Sequence, residues 1–498
     1  MKAKSKFISL VSLFVLACNV NGAGSAQMVE SATPLDWSES SSWVGGVVST
    51  AETDVTFAGS KTEIDVNSSV TNGALSFKVG AKQEVILNIA EGKSFSWVFD
   101  KSSASDTGII GTNKDTSVVY IRGAGDVTGS LEITKATVYF QLDKAKAGSI
   151  DNPLSIPDFS NGAVNNCNLV FDGHYTGKRI NTFTNSSFTI CENSSYTNTG
   201  SFMNLWSTGV TMNIMKGGTF KSTKNYLNVG TLRGGQLNLH GNLIIDCGSS
   251  KSDTQVYSLA WGNANIYAGA TIKETGDYGV YICADDKSVS TSLTHVQSGV
   301  AKGALEVSSI YFANNAILRL DSTDAFKIGG NDQIDSEILL FGKSMKSMNI
   351  NGYQATTFTL DNNADNNIGS FVFYTGSSLC LQLHDTAKLL IQDMVMVSDS
   401  VAQGEGEIKV IIENLGLQTM FIGTAIADKI TSGDIALYAS DGETKLVYGE
   451  GGYDLSELTQ YNNVEGYWLN AYVAVPEPAE WAMLFGAIAL GFAIYRKK

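Results

Sequence analysis

Proline is scarce, with 5 in 498 residues, and charged side chains make up only 17% of the chain, against about a quarter in ordinary globular proteins. So few charges, set beside 43% hydrophobic residues, argue against wholesale disorder, because enough apolar surface remains to drive folding. Arginine is almost missing: Arg122, Arg179, Arg233, Arg319 and Arg496 are the full set. The forked guanidinium that clamps carboxylates and phosphates is therefore nearly absent, which disfavours anionic substrates. Glycine, at 50 residues, together with Ser, Thr and Asn, fills the space that charge leaves. That composition points to β-structure, and the length exceeds what one hydrophobic core commonly serves, so several domains or one elongated repeat array are expected.

Basic charge is concentrated at the two ends. Setting aside residues 1–26 and everything from Pro476 onward lowers Lys+Arg from 34 to 28 and Asp+Glu from 49 to 47, a net −19 against −15 for the whole chain. Such an acidic body repels phosphate backbones, so nucleic acid is excluded as a partner.

The N-terminus combines Lys2, Lys4 and Lys6 with an apolar run from Phe7 to Ala17 and small residues ending Gly22-Ala-Gly-Ser-Ala26. A cationic start, an apolar stretch too short to span a bilayer and a small-residue cleavage site define a secretory signal peptide, with cleavage after Ala23 or Ala26. Val15-Leu-Ala-Cys18 is a poor match to a lipoprotein box. After that cut Cys167, Cys191, Cys247, Cys283 and Cys380 remain, an odd number with no metal-ligand spacing, so buried thiols with one bridge at most are expected rather than a metal site.

The C-terminus reads Val475-Pro-Glu-Pro-Ala-Glu-Trp481, then apolar residues through Tyr495, then Arg496-Lys-Lys498. Pro476 and Pro478 flank Glu477 and keep that segment extended and accessible to an enzyme. Trp481 to Tyr495 would span about 22 Å as a helix, against roughly 30 Å of hydrocarbon, a marginal transmembrane anchor. Arg496, Lys497 and Lys498 would stay on the cytoplasmic side, with the body outside.

In motif, position, helix and basic end, this tail resembles the PEP-CTERM sorting signal of Gram-negative bacteria that make exopolysaccharide. The resemblance covers about 25 residues and implies recognition by an exosortase in the inner membrane, then release or transfer to the surface or extracellular matrix. It carries Pro476, Glu477, Pro478, Trp481, Arg496, Lys497 and Lys498 over as the sorting signal, and it specifies a destination, not an activity.

Between the ends, helical periodicity is almost absent. Short alternating apolar and polar runs, such as Asn168-Leu-Val-Phe171, Gln236-Leu-Asn-Leu239 and Ala316-Ile-Leu-Arg-Leu320, recur mostly about 19 to 28 residues apart. Met212-Asn-Ile-Met-Lys-Gly-Gly-Thr-Phe220 and Ala264-Asn-Ile-Tyr-Ala-Gly-Ala-Thr-Ile272 align with Asn, Ile, Gly and Thr in register, and Leu237-Asn-Leu-His-Gly-Asn-Leu243 is a shorter third copy. The pattern predicts an all-β body coiled as a parallel β-helix or β-solenoid, with Gly and Asn at its corners and Asn213, Asn238 and Asn265 stacked as an amide ladder. An antiparallel β-sandwich array is the alternative, since rung lengths are irregular. The expected organisation is a signal peptide at 1–26, an N-terminal β region with a cap at 27–150, solenoid repeats at 151–406, a C-terminal β region at 407–472 and the sorting signal at 473–498, the internal boundary lying near Pro153 and Pro157. The opening segment around Trp37 and Trp43 loosely resembles autotransporter-associated β-repeat proteins. Those tryptophans are expected to cap the first coil, with carbohydrate stacking as the sharper alternative.

Chemistry finds little foothold. His174, His240, His295 and His384 lie far apart and suit surface or corner roles, and no nucleophile elbow, phosphate-binding loop or zinc-protease motif occurs. Gly329 to Asp335 reads as a turn rather than a calcium repeat. No cofactor, metal or catalytic residue is assigned. Paired carboxylates are the one enzymatic possibility: Asp321 with Asp324, or Asp361 with Asp365, with Arg319 as the nearby base. Their turn-like surroundings favour solvated corners. The expectation is therefore a non-enzymatic surface or matrix protein, structural or adhesive, whose partners are an exosortase, the membrane and extracellular polysaccharide. The alternative is a secreted polysaccharide hydrolase or lyase on the same scaffold, which convergent carboxylates would favour and scattered ones would defeat.

Overall fold

The computed structural model describes residues 24–472, apart from 51–52, 72–75, 98–107, 144–148, 160–162, 179, 181, 201–202, 206–208, 224–225, 231–233, 247–257, 276–278, 284–290, 314, 330–336, 341–356, 375–377, 385, 398–406 and 450. The chain is all-β, with long parallel sheets of the kind a β-helix or solenoid builds. It divides into two compact units, one running to Leu205 and taking in Gly218–Phe220, the other comprising Trp206–Gly217 and the chain from Lys221.

In the first unit the chain visits its sheets in rotation. Ala163–Asn165, Asn168–Phe171 and His174–Gly177 enter three different sheets, and Thr182–Thr184, Ser187–Ile190 and Ser195–Asn198 then pair with them in parallel, in the same order. Alternation explains why these short runs are strands. In Asn168–Phe171, Leu169 and Phe171 are buried while Asn168 and Val170 face outward, the period-2 pattern of a strand with one face in a core. Like residues then stack on like: Phe140 and Phe171 lie with centroids 5.2 Å apart and planes 8° from parallel, and Phe188 follows at 4.9 Å. Each fully buried large apolar side chain contributes roughly 1.5–3 kcal/mol. The stack therefore ties each turn to the next.

Corners take the residues expected of them. Asn166 and Asn185 both adopt positive φ, at 51° and 43°, and the Asn185 amide donates to Asn166 Oδ1 at 3.0 Å. Gly129 sits at φ 93°, and a Cβ there would collide with the Trp97 carbonyl oxygen, so only glycine fits.

At the N-terminal end, Trp37 and Trp43 are 3% and 2% exposed. Their rings meet edge to face at 5.0 Å, and Trp43 Nε1 donates to the Trp37 carbonyl at 2.9 Å. With Phe57, Phe77, Phe95 and Trp97 they form an aromatic cluster beneath the short helical turns Ser40–Ser42 and Val44–Gly46. Burial overturns carbohydrate stacking at these tryptophans, because no ring face is open to a sugar.

The second unit extends the same logic. Its longest sheet runs from Thr211–Ile214 through Gln236–Leu239, Asn263–Ile266, Ser292–Val296, Ala316–Leu320, Thr357–Asn362, Ser378–Leu383 and Ile408–Glu413 to Ile435–Tyr438, in parallel wherever the register is defined. Parallel ladders are what a coil requires and an antiparallel sandwich array does not contain. Antiparallel pairing appears where Val464–Ala471 folds back along Met420–Gly423 and pairs with Thr459–Tyr461, seating Trp468 on Phe421 and Leu390. A helix unforeseen in the sequence, Thr424–Ser432, buries Ile426, Ala427 and Ile430 and stops at Gly433 in left-handed conformation.

Among the described residues no helix is long and apolar enough to cross a membrane. The expected span Trp481–Tyr495 and nearly all of the expected signal peptide lie outside the described residues, although Gly24–Met28 forms a strand paired with Thr53–Phe57.

Candidate functional site

The outward face of the second unit's long sheet carries a continuous row of polar side chains. Register places Asn213, Asn238, Asn265, His295, Arg319, Asp361, Gln382 and Glu413 in one row, one residue per rung. Adjacent parallel strands lie about 4.7–4.9 Å apart, close enough for side chains on successive rungs to bond.

The row has two chemically distinct parts. In the first, Asn238 Nδ2 donates to Asn213 Oδ1 at 2.9 Å and Asn265 Nδ2 donates to Asn238 Oδ1 at 3.4 Å. This is the amide ladder that the aligned repeats predict. Beside it His240 and Tyr267 stack with centroids 3.7 Å apart and planes 10° from parallel. Burial lowers the His240 pKa below its ordinary value, so the ring is neutral at neutral pH.

The second part is ionic. His295 Nε2 meets Asp321 Oδ2 at 2.6 Å, and Arg319 Nε lies 3.1 Å from Asp321 Oδ1 and 3.8 Å from Asp361 Oδ2. His384 Nε2 lies 2.9 Å from the other Asp361 oxygen, which also accepts from Asn363 Nδ2 at 3.0 Å. One guanidinium thus sits between two carboxylates, each with its own imidazole. Burial alone would raise the Asp321 pKa, but hydrogen bonds from His295 and Arg319 outweigh it and hold the pKa below its ordinary value. Farther along, Gln382 donates to Glu413 Oε2 at 3.0 Å.

The carboxylates suggested by the sequence are regrouped. Asp321 and Asp324 part company: Asp321 joins the sheet face, whereas Asp324 turns a corner at φ 44° and binds Lys302, the Asn367 amide N–H and the Asn367 side chain. Asp361 and Asp365 also separate, with Asp365 accepting the Lys388 backbone N–H at 2.8 Å. The convergent pair is Asp321 with Asp361, each from a different segment and linked through Arg319. His295 and His384, far apart in sequence, meet this cluster, while His240 joins the stacked pair on the same sheet face. Among the described residues no group of three or more His, Cys, Asp or Glu side chains could hold a metal ion.

Among the described residues the cysteines form no site. Cys167 and Cys380 are buried free thiols, and Cys191 is half-buried. Burial raises Cys167 to about 12 and Cys380 to about 11, the latter helped by the Glu413 carboxylate, so both stay protonated and unreactive. The expected sorting residues Pro476, Glu477, Pro478, Trp481, Arg496, Lys497 and Lys498 all lie outside the described residues.

No family model, no curated protein and no solved structure matches the chain.

Proposed function

We propose that this chain is an exported structural or adhesive β-solenoid of a bacterial cell envelope, delivered by its PEP-CTERM-like tail through an exosortase. One observation supports a scaffold above all: the strongly polar outward groups of the long sheet are engaged with one another, rung to rung. Asp321 and Asp361 are bonded by His295, Arg319, His384 and Asn363, an arrangement that stiffens a surface. The Pro476-Glu477-Pro478 motif, the apolar span after it and the final Arg496, Lys497 and Lys498 support the destination.

A second reading is favoured by the meeting of Asp321 and Asp361 at Arg319, which is the convergence a polysaccharide hydrolase or lyase needs. Against it stands engagement: both carboxylates are already bonded by His295, Arg319, His384 and Asn363, whereas a catalytic pair must present its oxygens to the substrate. The two readings separate in one assay. Purified protein, Asp321→Asn and Asp361→Asn are incubated with neutral and uronic-acid polysaccharides, and reducing ends and unsaturated products are measured. A scaffold yields no turnover in any of the three; turnover by the native protein that both variants abolish overturns the scaffold reading. Display is tested separately by adding protease to intact cells, where digestion of the body is expected and full protection would contradict export to the surface.

A further inference from the structure

The carboxylates of the ionic half are bonded within the row, whereas the neutral half has hydrogen-bond capacity to spare. Met215, His240, Tyr267 and Gln297 each follow a residue held in the parallel ladder, namely Ile214, Leu239, Ile266 and Val296, so they form a second row beside Asn238 and Asn265. All six side chains reach solvent, Met215 at 37% exposure and the others half-buried.

Hydrogen-bond capacity here exceeds use. Asn238 gives one N–H to Asn213 and accepts one from Asn265, which leaves it one N–H and one lone pair. Among the described residues Asn265 keeps one N–H and its whole oxygen without a protein partner. The imidazole of His240 and the hydroxyl of Tyr267 are held by the ring stack, not by protein hydrogen bonds, and the Gln297 amide likewise meets no protein partner among the described residues. The rungs of Asn238, Asn265 and Gln297 thus each offer a spare donor and a spare acceptor, pre-aimed by backbone pairing and by the neighbouring rung. No member is charged. Preorganised groups lose little entropy on binding, and a regular row of them favours a ligand with its own regular repeat.

From this we propose that Met215, Asn238, His240, Asn265, Tyr267 and Gln297 form a binding strip for a neutral, extended polysaccharide lying across the rungs. Every free hydroxyl of such a chain both donates and accepts, as these rungs do, and the apolar C–H faces of its rings suit the Met215 side chain and the exposed ring edges. An anionic polymer fits worse, because the strip carries no cation and the protein has a net charge of −15. This inference rests on the reading that the face meets the extracellular matrix.

The test uses the full chain in affinity electrophoresis through gels containing β-1,4-glucan, mannan, α-glucan or polygalacturonate. At least one neutral polymer is expected to retard the native protein equally at low and high salt, and polygalacturonate is not. His240→Ala/Tyr267→Ala is expected to weaken that binding at least tenfold, and Gln297→Ala, which leaves the stack intact, to weaken it about threefold, each read beside a thermal midpoint to verify folding. Retardation by no neutral polymer, retardation by polygalacturonate alone, or full binding by Gln297→Ala and a folded double variant would overturn the strip. A chain that reaches the cell surface yet binds no neutral glycan removes this inference alone; a chain that never leaves the cytosol removes the export reading instead.

Discussion

Replacing Phe171 with alanine probes how one turn of the coil supports the next. Phe171 is fully buried, stacked 5.2 Å from Phe140 and 4.9 Å from Phe188, with Tyr196 at 5.0 Å and Tyr175 at 5.9 Å. Truncating a core phenylalanine costs about 3–5 kcal/mol through lost transfer energy and the cavity left behind. Lost ring contacts, at about 0.5–1.5 kcal/mol each, place this site at the upper end. In a stacked array each turn contacts its neighbours alone, so the damage stays local. Hydrogen exchange should therefore quicken by about a thousandfold, the equivalent of roughly 4 kcal/mol, in Thr137–Leu142, Asn168–Phe171 and Ser187–Ile190, while Lys61–Val66 keeps its protection. An effect below about 1 kcal/mol would refute the stacking argument, as would equal loss across the whole unit.

Asp321 should add stability in a pH-dependent way. Its folded pKa lies below the ordinary 3.8, so its contribution is full above that value and fades as pH falls through the lower folded pKa. The gap in thermal midpoint between native protein and Asp321→Asn should be widest near neutral pH and close only below about pH 3.8; a gap that grows on acidification would contradict the assignment. Gly129→Ala forces a left-handed residue against the Trp97 carbonyl and should cost more than about 1 kcal/mol in denaturant melts, whereas an unchanged midpoint would show that the corner is looser than described.

Parts of this molecule were legible before its structure because its repeats align. The Asn213–Asn238–Asn265 ladder was readable since the three copies share spacing around one asparagine, and stacking follows from parallel register. The Asp321–Arg319–Asp361 cluster was not. Its register partners His295 and Arg319 stand 24 residues apart and Arg319 and Asp361 stand 42 apart, and connections of such unequal length hide which residues share a row. The nine-residue helix Thr424–Ser432 escaped for another reason: its apolar positions, Ile426, Ala427 and Ile430, are too few to set a period against flanking strands. Trp37 and Trp43 show the limit of composition, because an aromatic pair looks the same in a cap and in a sugar platform until burial decides.

The central proposal is that the β-body is carried to the envelope by its tail. It is tested most directly by fractionating cells that express the chain truncated before Val475 beside cells that express the full chain. The account predicts envelope association for the full chain and its loss in the truncated one, whose body still folds; undiminished envelope association after truncation would contradict it.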